Sequence, residues 1–184
     1  MFSFLKKSRV SPKPLPDLPA DAPASESPRM RKVLNVGGNS KEIQIPEAFG
    51  GWQHVMLDID PAVRPDVVCD ARNLATLKGS EYDAVYCSHN LEHYFHHDVS
   101  RVLAGFLHVL KDDGFAYIRV PDMAELMRTV VRDGRDIEDV LYQSPAGPIA
   151  VIDVIYGLRT EIASSGNDFF AHKTGFTRKS LAAA

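Results

Sequence analysis

The sequence predicts an α/β protein built on a doubly wound, mostly parallel sheet in the strand order 3-2-1-4-5. Short apolar runs recur between Val33 and Val120 with helix-like or turn-like stretches between them. Strands separated in this way form parallel sheets with right-handed crossovers. The runs stop on polar or glycine residues: Gly37-Gly38-Asn39, Asp58, Asp70 and Ser88-His89-Asn90. Open sheets bind ligands outside the carboxyl ends of their strands, where the winding reverses. That crevice is expected between the first and fourth strands.

Residues 1–30 hold six of the twelve prolines, mixed with Ser, Ala and Asp. Such a segment buries too little apolar surface to offset its ordering entropy, and a disordered tail is expected. Val33-Leu34-Asn35-Val36 reads as the first strand, running into a turn at Gly37 to Ser40. Pro46 and Gly50-Gly51 leave residues 41–51 room for a turn or two of helix. His54 to Leu57 is the second strand, Asp66 to Cys69 the third and Tyr82 to Cys87 the fourth. A helix-like run starts at once with Leu91-Glu92-His93.

The next helix is the clearest. Asp98 is expected as its N-cap, and Val99, Val102, Leu103, Phe106, Val109 and Leu110 follow helical spacing. Asp112-Asp113-Gly114 is read as a turn into the fifth strand, Phe115 to Val120. Asp122 with Glu125 resembles a capping box for a helix over 123–132, which Gly134 stops. Beyond it the alternation fades. A short helix is expected over 136–143, a loop over 144–148, a helix over 151–163 interrupted by Gly157, and a last helix capped by Thr177. This divides the chain into a tail (1–30), a cofactor-binding core (31–134) and a helical segment over the substrate pocket, with a truncated final helix (135–184).

The 184 residues suit one domain with a self-supporting core. A formal charge of −3 lacks the basic footprint of a nucleic-acid binder. The charge is uneven: residues 1–32 carry seven Lys/Arg against three Asp/Glu, leaving about −7 on the remainder. Cys69 and Cys87 lie in apolar runs and read as reduced core thiols of a cytoplasmic protein. No apolar run approaches the ~20 residues that span a bilayer, and the Met1-Phe-Ser-Phe-Leu start is too short for a signal-peptide core. Stable membrane insertion is not expected.

Gly37 and Gly38 let a ligand approach the backbone, because no Cβ stands in the way. Asn39 tolerates a left-handed turn. Asp58 follows Gly37 by 21 residues, the offset at which an acid ending the second strand meets ribose hydroxyls. Asp70 ends the third strand within reach of an exocyclic amine such as that of adenine. A glycine turn and an acid alone also fit a nicotinamide cofactor.

Taken together, Val33-Leu-Asn-Val-Gly-Gly-Asn-Ser40, Leu57-Asp-Ile-Asp-Pro61, Val68-Cys-Asp-Ala71, Tyr82 to His93 and Leu110 to Asp122 are more specific. In that order they resemble class I S-adenosylmethionine-dependent methyltransferases, particularly the small bacterial group with Leu-Glu-His after strand 4. Thr174 to Leu181 is similar to the family's late Gly-Phe-Thr helix start. The resemblance implies a Rossmann-like methyltransferase fold, here lacking the family's last two strands, with S-adenosyl-L-methionine as cofactor. A small-molecule or sugar-like acceptor is expected, since no basic groove marks a nucleic-acid substrate. The resemblance also implies that Asp58 holds the ribose, that Ile59 packs on the adenine, and that Asp70 and the Ala71 backbone meet the adenine amine. Gly37 and its neighbours, with Gly38, would carry the methionine moiety, and Ser88 and His89 would lie near the transferable methyl. Asn35 replaces the usual acid of strand 1, losing charge-assisted strength toward the cofactor's ammonium. Asn39 replaces the second glycine of Gly-x-Gly.

Methyl transfer from a sulfonium is a direct displacement, so the protein aligns the reactants and excludes water. A base is needed only where the acceptor must lose a proton, and His93 is the candidate. His89, His93, His96 and His97 include i,i+4 pairs, but Glu-His-x-x-His-His is not the HExxH arrangement, and no metal is expected there. His172, Tyr142 and Tyr156 fall in the segment expected over the acceptor. Two rivals remain: a catalytically weak methyltransferase-like binding module, and a nicotinamide-dependent oxidoreductase. The sheet edge left by the missing strands offers an oligomer contact.

Overall fold

The computed structural model describes residues 29–184; all but the last two residues of the expected tail lie outside them. Five strands form one sheet: β1 (Lys32–Val36), β2 (Gln53–Asp58), β3 (Val67–Val68), β4 (Tyr82–Ser88) and β5 (Leu110–Arg119). Their order is β3-β2-β1-β4-β5 and every neighbouring pair is parallel. The expected fold class and strand order are therefore observed.

β1 lies in the middle, and its apolar run is sealed on both faces. Val33 and Leu34 are fully buried. One face packs Leu34, Val36, Val85 and Cys87 against α1 (His96–Val109) through Val99, Val102 and Phe106. Burying a side chain such as Phe106 is worth roughly 2 kcal/mol. The other face packs Val33, Ala84 and Tyr86 on Phe49, with Trp52 edge-on to it at 5.4 Å between ring centroids. Trp52 is thus a packing residue, as its place after the Gly50-Gly51 turn suggested.

The β4 to β5 crossover carries a long helix. The earlier links hold 3-10 turns at Glu47–Phe49, Pro61–Val63 and Ala71–Thr76. β1, β2 and β3 are parallel neighbours, so their carboxyl ends open close to one another. Beyond β5, α2 (Met123–Asp133) starts at Asp122, whose carboxylate accepts the N–H groups of Ala124 and Glu125. It ends on Gly134 at φ 60°, as expected. Glu125 turns instead to Arg128 at 2.8 Å, so the reciprocal half of the capping box is not formed.

Four local expectations are corrected. The long helix starts at His96, three residues after the Leu91–His93 3-10 turn, and Phe95 rather than Asp98 stands at its cap. Asp98 lies in the first turn, where its charge complements the helix N-terminus. Asp112-Asp113-Gly114 is drawn into β5, and the strand absorbs it as an irregularity opposite Tyr82 to Ala84. Residues 136–143 do not form a helix. They lead into β6 (Val140–Ser144), which pairs antiparallel with β7 (Gly147–Ala150). Ser144-Pro-Ala-Gly147 is the hairpin turn, with Ser, Pro and Gly at the positions that a β-turn favours.

α3 (Val151–Tyr156), α4 (Arg159–Ser165) and α5 (Arg178–Ala182) complete the described chain. Gly157 separates α3 from α4, and Thr177 caps α5 with its hydroxyl on the Ser180 N–H, both as expected. Residues after β5 add no strand to the five-stranded sheet among the described residues. Asp122 and Phe176 make a single parallel bridge just beyond β5.

Candidate active site

The turn after β1 is built from left-handed backbone. Gly37 has φ 69° and Asn39 φ 55°. Asp58, at the end of β2, secures it by accepting the Asn39 N–H at 3.0 Å, while its other oxygen accepts the Asp60 N–H at 3.0 Å. Asn35 is buried beneath this turn, and its side-chain nitrogen meets His54 Nε2 at 3.1 Å. Burial, helped by nearby Lys41, holds the His54 pKa below its ordinary value, so the ring is neutral and accepts that hydrogen.

A Cβ on Gly37 would collide with the Asn90 amide, and one on Gly38 would come within 2.5 Å of the Asn35 amide. The first glycine thus admits Asn90, from the end of β4, directly against the β1 turn. Asn90 Oδ1 is buried and has no hydrogen-bond partner. A buried acceptor without a donor is costly.

At the end of β3, burial pushes the Asp70 carboxyl up, but Arg72 outweighs it and leaves it below the usual carboxylate range. The Arg72 guanidinium reaches Asp70 Oδ2 at 2.6 Å, and the Arg72 N–H donates to Asp70 Oδ1 at 2.9 Å. Ala71 is buried beside them. Burial, reinforced by Asp70, pushes the Tyr94 phenol well up.

A cleft of about 210 Å³ runs along these ends. Ile59, Asp70 and His93, three of the expected site residues, border it. Asn90 borders it too, which connects it to the Gly37 turn. Arg72, Tyr94, Asp168 and Lys173 also line it and were not singled out from the sequence. Lys173 pairs with Asp168 at 3.0 Å and stands over the Phe95 ring at 5.7 Å. The one sequence signal for this wall was the clustering of Asp168, His172 and Lys173 after a turn.

Ser88 closes β4, and His89 follows at φ 53°, a left-handed backbone that is uncommon for a residue with a Cβ. Its N–H donates to Arg119 O at 2.9 Å. Its side chain borders a second cleft of about 260 Å³, beside Arg119, Asp122 and Arg178. His89 and His93 therefore line different cavities. The helical register expected for His93 and His97 is lost, since the backbone is extended at Tyr94 and Phe95. His93 instead meets Ala171 O through Nδ1 at 3.1 Å and His89 O through Nε2 at 3.2 Å. His172 packs edge-on against it at 4.9 Å between ring centroids.

A parallel 3-2-1-4-5 sheet with an acid-gripped turn after its first strand and a cleft along its strand ends defines a class I methyltransferase fold. Residues 34–118 match the family of the methyltransferase domain. The class assigns S-adenosylmethionine as the cofactor. Among solved structures, a SAM-dependent methyltransferase from Archaeoglobus fulgidus is similar at 18% identity with a TM-score of 0.50, covering 84% of this chain. The PH0226 protein from Pyrococcus horikoshii is similar at 20% identity with a TM-score of 0.45, covering 66% of each chain. The chain spans 58% of the length of the Archaeoglobus fulgidus protein. No curated protein matches it.

Proposed function

We propose that this chain is an S-adenosylmethionine-dependent methyltransferase acting on a small-molecule or sugar-like acceptor in the cytoplasm. The observation that carries the reading is the Gly37–Asn90 contact beside Asp58: a glycine turn gripped by an acid, with an unpaired buried acceptor over it. One feature fits the cofactor. The missing Cβ of Gly37 lets Asn90 lie against the turn, and Asn90 Oδ1 there needs a donor of the kind that the methionine ammonium provides.

Bound there, S-adenosylmethionine supplies an electrophilic methyl on a sulfonium. The work of the protein is then alignment and exclusion of water. Asp58 retains lone pairs for the ribose hydroxyls beyond its two backbone bonds. Ile59 offers an apolar wall to the adenine, and Asp70, steadied by Arg72, faces the amine with the Ala71 backbone. Gly37 and Gly38 line the methionine end, with Ser88 and His89 at the close of β4. His93 stands at the acceptor side of the cleft. To act as a base it must first release the carbonyl of Ala171 or of His89, so the reading needs an acceptor that is already nucleophilic, or a local movement there.

Calorimetry with S-adenosylhomocysteine and with NAD, followed by labelled methyl transfer across an acceptor panel, tests this. The expectation is binding of S-adenosylhomocysteine alone, with turnover on a small acceptor. Binding of NAD alone favours the oxidoreductase, and cofactor binding without turnover on any acceptor favours the binding module.

A further inference from the structure

Glu92 is the one acidic side chain among the described residues whose burial is nearly complete, with 1% of its surface exposed. Neither of its carboxylate oxygens has a hydrogen-bond partner. His89 Nδ1 lies 3.4 Å from Oε1. Burying a carboxylate in this way is expensive unless something positive meets it.

Two imidazoles flank it. His172 donates Nδ1–H to Val154 O at 3.0 Å, which fixes the tautomer and leaves an Nε2 lone pair. His93 has a carbonyl oxygen at each ring nitrogen. To ligate an ion, one of these nitrogens gives up its carbonyl contact and turns its lone pair to the cluster. One ligand atom from each of Glu92, His93 and His172 lies within 4.8 Å of the others.

We propose that Glu92, His93 and His172 form a binding site for a divalent transition-metal ion, zinc being the model case. Two imidazoles and a carboxylate are a ligand set for such ions, whereas calcium and magnesium prefer oxygen. Imidazole–carbonyl contacts of the Val154 and Ala171 kind are the usual outer support of metal-bound histidines. Tetrahedral bonds of zinc length set ligand atoms roughly 3.4 Å apart, so the side chains draw together by about an ångström on binding. Their backbones are already tied: Lys173 and Thr174 donate their N–H groups to Glu92 O at 2.8 and 3.2 Å. The ion would clamp the 171–174 segment onto the turn after β4, at the wall of the first cleft. Three protein ligands leave a fourth position open. None of this depends on whether a methyl donor binds.

The test is titration of chelator-treated, full-length protein with Zn²⁺ by calorimetry and with Co²⁺ by visible absorption. One equivalent is expected, with the intense Co²⁺ bands of a four-coordinate site. Glu92→Gln and His172→Ala should each weaken binding at least about tenfold, while His97→Ala, at an exposed histidine outside the cluster, should leave it unchanged. S-adenosylhomocysteine binding and circular dichroism report whether each variant is folded. Failure of the wild type to take up one equivalent overturns the proposal, and so does uptake that Glu92→Gln and His172→Ala do not weaken. Should both variants fail to fold, the wild-type Co²⁺ spectrum decides: weak six-coordinate bands mean a surface ion and overturn it.

Discussion

Asp58 binds Asn39 and Asp60 at once, one carboxylate oxygen accepting each backbone N–H at 3.0 Å. The residue expected to hold a ribose is therefore also the fastener of the turn that faces the cofactor. Asp58→Asn keeps the shape but puts an NH₂ group where one of those N–H groups needs an acceptor. Affinity for S-adenosylhomocysteine should fall at least about tenfold, as loss of a charge-assisted hydrogen bond predicts. Calorimetry reads this directly, and unchanged affinity would remove Asp58 from the site.

The Gly37–Asn90 contact has a two-part cost that mutation can separate. Gly37→Ala meets an unfavourable φ of 69° and the Asn90 amide together. The backbone part alone costs roughly 1–2 kcal/mol, and the overlap adds to it. In an Asn90→Ala background the overlap with the amide is gone and only the Asn90 Cβ, at 2.9 Å, still crowds the site, so the penalty should fall toward the backbone part. A urea-denaturation cycle measures the difference; an equal penalty in both backgrounds would mean that Asn90 does not occupy that space.

Acid stability should carry the signature of Asp70. Burial raises this carboxyl and Arg72 more than offsets it, so its folded pKa lies below the unfolded one. A lowered folded pKa contributes stability above the unfolded value, near 4, and loses it as pH falls through the folded value. Arg72 is 41% exposed, so removing its pairing in Arg72→Met should cost about 1 kcal/mol or less at neutral pH. The gap between wild type and variant should stay level from about pH 5 to 8 and close as the pH drops below about 4. Denaturation across that range checks it, and a gap that widens in acid would contradict the sign.

The two thiols should differ in reactivity. Burial pushes Cys87 far up, and burial with Asp70 raises Cys69 more modestly. Cys87 is fully enclosed while Cys69 is partly exposed. A thiol reagent at neutral pH should modify Cys69 slowly in the native protein and Cys87 only after unfolding. Equal native rates would show that the β4 core opens freely.

The five-stranded sheet was legible because its strands are near-continuous apolar runs ending on Gly, Asp or Ser, and α1 because its apolar residues repeat over four turns. The 136–150 hairpin was not. Val140 to Ser144 is short, and its apolar residues do not separate helix from strand by period. The signal lies in Ser144-Pro-Ala-Gly147, a turn sequence inside the expected 144–148 loop. The start of α1 is not legible because Asp98 is an N-cap type of residue, yet the chain is extended at Phe95 and the helix forms earlier.

The site divides in the same way. The sequence alone determined the sheet, the Asp58 and Asp70 strand ends and the left-handed turn at Gly37 and Asn39, because each follows from local propensity and spacing. Tertiary structure decided that Asn90 fills the space beside Gly37, that His89 and His93 line different cavities, and that Glu92 and His93 meet His172. Those contacts join residues from separate loops, and which loops touch depends on how the whole sheet and its covering segment pack, a long-range outcome that no local pattern encodes.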